Sequence, residues 1–298
     1  MTPVPDTTVP VRLHFEGMGG IHLAADRRGH PDAPPVVFLH GGGQTRYSWG
    51  GTAAEVAEAG WQAITLDARG HGESDWSEPG DYRLMAFATD VQRVLEVLPD
   101  GPVLVGASLG GLTSILLAGE LEPGIARGVV LVDIIPEMEQ AGADRIQSFM
   151  AEHAEDGFAS LEEVADAIAV YNPHRPRPTD LSGLQKNLRQ RDGRWFWHWD
   201  PKFIGGVADL PPTEINDPVR LNAAVGTMVD GGVPVMLVRG RVSDLVSEEK
   251  AAAFLERFPT VEFVDVSGAG HMVAGDRNDA FSAAVLDFLG RHHPVTSP

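Results

Sequence analysis

Val103-Leu104-Val105-Gly106-Ala107-Ser108-Leu109-Gly110 sets a short apolar run directly against a serine framed by small residues. Beyond it, Leu112, Ile115, Leu116 and Leu117 recur at helical spacing. A strand that turns sharply into a helix holds its corner residue in a strained conformation, which is tolerable only beside neighbours with little or no side chain. Gly106, Ala107 and Gly110 meet that demand. The stretch therefore reads as a nucleophile elbow. It leaves the Ser108 hydroxyl exposed at the strand's carboxyl end and lets the Leu109 N–H, at the helix N-terminus, face a developing negative charge.

A G-x-S-x-G match means little by itself in a chain with 34 glycines, and its weight comes from what surrounds it. Upstream, Val36-Val37-Phe38-Leu39 ends in His40-Gly41-Gly42-Gly43. Downstream, Ser243-Asp244 follows Val235-Met236-Leu237-Val238, and His271 follows Val261 to Val266. Three more strand ends thus carry further parts of one device, in the chain order serine, acid, histidine. On these residues the chain resembles the α/β-hydrolase family, as a serine-esterase-like member, over nearly all of its length.

The resemblance implies an α/β fold with a mostly parallel eight-stranded sheet flanked by helices and an inserted helical cap. The core would comprise residues 1–135 and 233–298, and the cap, or lid, residues 136–232. It further implies Ser108 as nucleophile, His271 as base and Asp244 as the acid that orients it, with Asp133 at another strand end as the alternative acid. The oxyanion hole would be the N–H groups of Gly42 and Leu109. His40 reads as a brace for its loop, and His71, within Asp67 to Ser74, as part of a shaped turn rather than the base. Arg46 reads as a solvated or loop-bracing group before it reads as a carboxylate ligand.

Between Pro136 and Gly232 the runs Ala143 to Ala154, Leu161 to Tyr171 and Leu181 to Arg189 read as helices, with no buried strand pattern among them. Trp195-Phe196-Trp197-His198-Trp199 holds half of the chain's 6 tryptophans. These rings could fasten the cap or roof an apolar pocket. Gln44, Trp76, Trp197, Trp199 and Met272 are the candidate pocket residues.

Composition narrows the partners. A formal charge of −19 opposes binding to nucleic acid or anionic membranes. No stretch approaches the roughly 20 apolar residues of a membrane span, and the proline-bearing start, Met1 to Pro10, has no signal-peptide core, so a cytoplasmic location is expected. With no cysteine, P-loop or H-E-x-x-H, neither a metal nor a cofactor is expected. The partners are a small-molecule ester and water, and a homo-oligomer stays open.

The activity expected is hydrolysis of carboxylic esters of small to medium apolar or aromatic substrates through an acyl-enzyme. A serine at the elbow speaks against epoxide opening and dehalogenation, which in this fold use aspartate. Carbon-carbon bond hydrolysis, lactone opening and cofactor-free perhydrolysis use the same three groups. A ligand receptor on the same fold is the alternative of another class. A fluorophosphonate should label Ser108 stoichiometrically, and Ser108→Ala should abolish labelling and most turnover; equal labelling of the mutant, read by intact mass, would reject the assignment.

Overall fold

The computed structural model describes residues 9–99, 101–172, 177, 179–208, 217–276 and 278–295. Most of the Met1 to Pro10 segment, most of the proline-rich Asn172 to Pro178 connection and Arg277 lie outside them.

Strand β1 (Val11–Glu16) and β2 (His22–Arg28) form an antiparallel hairpin across the glycines at 17, 19 and 20. β2 then runs antiparallel to β4 (Gln62–Leu66). From there the sheet is parallel through β3 (Pro35–Leu39), β5 (Val103–Ala107), β6 (Gly128–Val132), β9 (Val235–Gly240) and β10 (Glu262–Val266), in the order β1-β2-β4-β3-β5-β6-β9-β10. β3, β4, β5, β6 and β9 are buried at every position, as continuous apolar strands covered on both faces should be.

Two apolar layers cover the sheet. One contains α2 (Leu84–Leu95), α3 (Leu109–Leu116) and the helix Pro218–Asp230, packed on Val37, Leu104, Leu131 and Leu237. The other contains α1 (Gly50–Glu58) and the C-terminal helix Asn278–His292, packed on Val36, Val105, Val130 and Met236. Glu248–Arg257 starts where the sequence suggests: Ser247 Oγ accepts the Lys250 N–H at 3.2 Å, and Glu248 and Glu249 occupy the first turn.

The insertion is not wholly helical. It opens with α4 (Gln140–Ala151) and α5 (Leu161–Tyr171), but the expected third helix is a 3-10 turn (Ser182–Asn187) followed by an antiparallel hairpin, β7 (Leu188–Arg191) and β8 (Arg194–Trp197). A third apolar cluster, rich in aromatic rings, follows from it. Phe158, Trp197, Trp199 and Phe203 of α6 (Pro201–Ala208) pack with Tyr82 and Phe87 of the core. The far boundary also differs from expectation. Helix α7 (Pro218–Asp230) sets Leu221, Ala224, Val225 and Met228 into the core layer, so the insertion ends before Asp217 rather than at Gly232.

Among the described residues no helix is long and apolar enough to cross a membrane.

Candidate active site

Ser108 stands between β5 and α3 at φ 46° and ψ −114°, a conformation that a residue with a side chain resists. Its neighbours are small out of necessity. A Cβ on Gly106 would lie 2.4 Å from the Gly110 carbonyl oxygen, and one on Gly110 would lie 2.2 Å from that of Leu39. The loop after β3 is equally close, since a Cβ on Gly41 would stand 3.3 Å from that of Ser108.

His271 follows β10 and lines the same cavity as Ser108. Its Nδ1–H donates to Asp133 Oδ2 at 2.7 Å. Asp133 is fully buried at the end of β6, at φ 50°. Its Oδ1 accepts the Gly240 N–H at 3.0 Å, and its Oδ2 also accepts the Ser243 hydroxyl at 2.5 Å. Three hydrogen bonds, at least one to each oxygen, thus fix the orientation of the carboxylate. With Nδ1 committed as a donor, His271 Nε2 keeps its lone pair for a proton.

This geometry corrects the preference for Asp244. β6 and β9 are neighbours in register, Val132 opposite Val238, so both aspartates sit near one another at the same sheet end. Ser243 turns inward onto Asp133, and the next residue, Asp244, faces outward, where Arg145 Nη1 of α4 binds it at 2.7 Å. Asp244 ties the insertion to the core.

Gly42 and Leu109 both line the cavity. Among the described residues neither N–H has a protein acceptor, so both are available to an oxyanion. The surrounding loop is held by hydrogen bonds to three histidine rings. His40, His71 and His198 are buried, and each gives one ring N–H to a backbone carbonyl and takes one backbone N–H. Burial pushes His40 down to about 4 and His71 to about 3, the latter helped by His40. His198 is also lowered well below the ordinary histidine range, by burial and by His71. None of the three is a base. Arg46, fully buried, is a brace: it binds Asp67, and its Nε lies 3.1 Å from Asp26.

The cavity holds about 1320 Å³ between core and insertion. Gln44, Met272, Trp197 and Trp199 line it, the two tryptophans stacked at 4.8 Å and 12°. Trp76 does not. It remains 37% exposed beneath the Arg189 guanidinium, 4.8 Å away, and is removed from the pocket. Phe203 and Met150, which sequence reasoning passed over, pack near Gly42 and Gly43. Neither residue carries a local motif that would have marked it. Among the described residues no cluster of histidine and carboxylate could hold a metal.

The family model for the alpha/beta hydrolase fold matches residues 34–277. The chain belongs to the α/β-hydrolase fold family. It is 33% identical over 267 residues to the esterase Rv0045c of Mycobacterium tuberculosis, covering 86% of this chain and 83% of that one. The solved structure of that esterase superposes with a TM-score of 0.73 at 29% identity, over 94% and 92% of the two chains. The sn-1-specific diacylglycerol lipase ABHD11 of Mus musculus is 28% identical over 274 residues, 88% of this chain and 82% of the lipase. An α/β hydrolase from Novosphingobium aromaticivorans gives a TM-score of 0.77 at 25% identity, over 95% and 98%.

Asp133→Asn should lower kcat by about 10⁴-fold by imposing the wrong His271 tautomer, while Asp244→Asn should cost less than about tenfold; steady-state kinetics on one ester decides, and the reverse ranking would return the acid to Asp244. The three buried histidines make a second prediction. Their folded-state values lie below the unfolded value of about 6.5, so the unfolded chain binds more protons, and their contribution, full above that pH, is lost as pH falls toward 4. Keeping each ring neutral below that pH costs stability that grows as the pH falls. Urea midpoints should therefore fall steeply from pH 6.5 to pH 4.5; a flat profile there would contradict the burial of neutral rings.

Proposed function

We propose that the protein is a serine hydrolase that cleaves carboxylic esters through an acyl-enzyme. The observation that carries this is the His271–Asp133 hydrogen bond in the cavity that also holds Ser108. His271 Nε2 takes the Ser108 proton as Oγ attacks the ester carbonyl, and buried Asp133 stabilises the imidazolium that forms. The tetrahedral oxyanion is held by the Gly42 and Leu109 N–H groups, each such donor being typically worth about 3 kcal/mol. His271 returns the proton to the leaving alcohol, and water, activated by the same nitrogen, releases the acid. The ester and lipase activities named for the relatives favour an ester bond over the other bonds this triad can cleave.

The cavity favours an apolar substrate. Leu109, Leu112, Ile146, Phe149, Trp197 and Phe203 line it, and its volume exceeds the roughly 300–1,000 Å³ of ordinary ligand pockets. Medium-length acyl or aryl groups fill such a space better than acetyl. A panel of p-nitrophenyl esters tests both statements. Turnover should rise from acetate to medium chains, by up to about fivefold per buried methylene, and Trp197→Phe should move the optimum to longer chains. Absence of turnover across the panel, from protein that a fluorophosphonate still labels, would reject ester hydrolysis in favour of another bond or a receptor role.

A further inference from the structure

Three successive peptide planes of the loop after β3 are each held by a different histidine. His40 Nδ1–H donates to the Gly41 carbonyl at 2.8 Å, the Gly43 N–H donates to His71 Nε2 at 3.1 Å, and His198 Nε2–H donates to the Gly43 carbonyl at 3.2 Å. The second nitrogen of each ring is also occupied. His40 Nε2 accepts from the Ala68 N–H at 3.0 Å, His71 Nδ1–H donates to the Arg69 carbonyl at 2.9 Å, and His198 Nδ1 accepts from the Gly72 N–H at 2.7 Å. Two backbone partners thus fix each tautomer.

The planes are mechanically linked. In a trans peptide the carbonyl and the following N–H point in opposite directions, and no cis peptide bond occurs among the described residues. Holding the Gly43 carbonyl at His198 sets the Gln44 N–H, which donates to the Gly41 carbonyl at 3.1 Å. Holding the Gly41 carbonyl in turn directs the Gly42 N–H the other way. His40 and His71 belong to the core, but His198 belongs to the insertion, between the two tryptophans that line the cavity.

We infer that His198 is a positioning residue for the oxyanion hole, so that the docked insertion completes the catalytic loop as well as covering it. The inference rests on the acyl-transfer reading above. It separates His198 from a residue that merely fastens the cap, because it ties the side chain to transition-state charge rather than to substrate affinity.

The test uses the full-length protein and two variants. His198→Phe keeps an aromatic ring beside Trp199 and His71 but removes both hydrogen bonds. His198→Gln retains one acceptor and one donor. Each is measured for kcat and KM on a p-nitrophenyl ester and for inhibition by a trifluoromethyl ketone, whose serine adduct carries the oxyanion. His198→Phe should lower kcat about 10²-fold, leave KM within about threefold and weaken the ketone by the same factor as kcat, while His198→Gln restores most of both. If His198→Phe does not fold, His198→Asn, with too short a reach for both partners, takes its place under the same criteria. A folded variant with unchanged kcat and ketone affinity, or one that loses KM alone, overturns the inference. Wild-type protein that neither hydrolyses the ester nor binds the ketone overturns the acyl-transfer reading, and this one with it.

Discussion

Two residues with side chains, Ser108 and Asp133, hold left-handed backbone angles at the ends of neighbouring strands. Such a conformation costs about 1–3 kcal/mol at each and persists only where the surroundings over-determine it. They do so here by contact rather than by attraction. Gly106, Gly110 and Gly111 admit backbone or Ile134 where a methyl group would collide, and Gly240 lies so near the Gly270 carbonyl that a Cβ would stand 2.1 Å from it. The end of β9, whose Gly240 N–H holds Asp133, is thereby pressed against the loop bearing His271, and the Asp133–His271 bond forms beside that contact.

The parts of the fold that were legible in the sequence are those where burial alone decides. Val36 to Leu39, Val103 to Val105 and Val235 to Val238 are apolar without interruption, as strands covered on both faces are. The elbow was legible because its steric demand is local. The insertion was harder. Leu188–Arg191 and Arg194–Trp197 pair through their backbones, with charged side chains outward on one strand and rings on the other, so no alternation advertises the hairpin. Pro218–Asp230 carries the apolar face of a core helix, but a sequence does not say against which layer such a face will lie.

The choice of acid failed for a different reason. Asp133 and Asp244 both follow buried strands, and what separates them is the partner each finds, Ser243 and Gly240 for one and Arg145, 99 residues away, for the other. Charge composition cannot rank two carboxylates whose fates are set by inward and outward turns of one residue. The outward turn still has a consequence for the site, since it anchors α4 beside the cavity that the inward turn serves.

The insertion meets the core through the turn Asp67 to Ser74 as well. The Asp200 N–H donates to the Gly70 carbonyl, Arg189 donates to the Gly72 carbonyl, and Tyr82 donates to the Asp200 carboxylate. That turn is itself buried around Asp67 and Arg69, the latter paired with Asp90. Local opening is inexpensive where a segment gives up only exposed bonds, and expensive where it must strip partners from buried ones. Lifting the insertion off that turn would break the Asp200–Gly70 and Tyr82–Asp200 bonds, both made by buried groups.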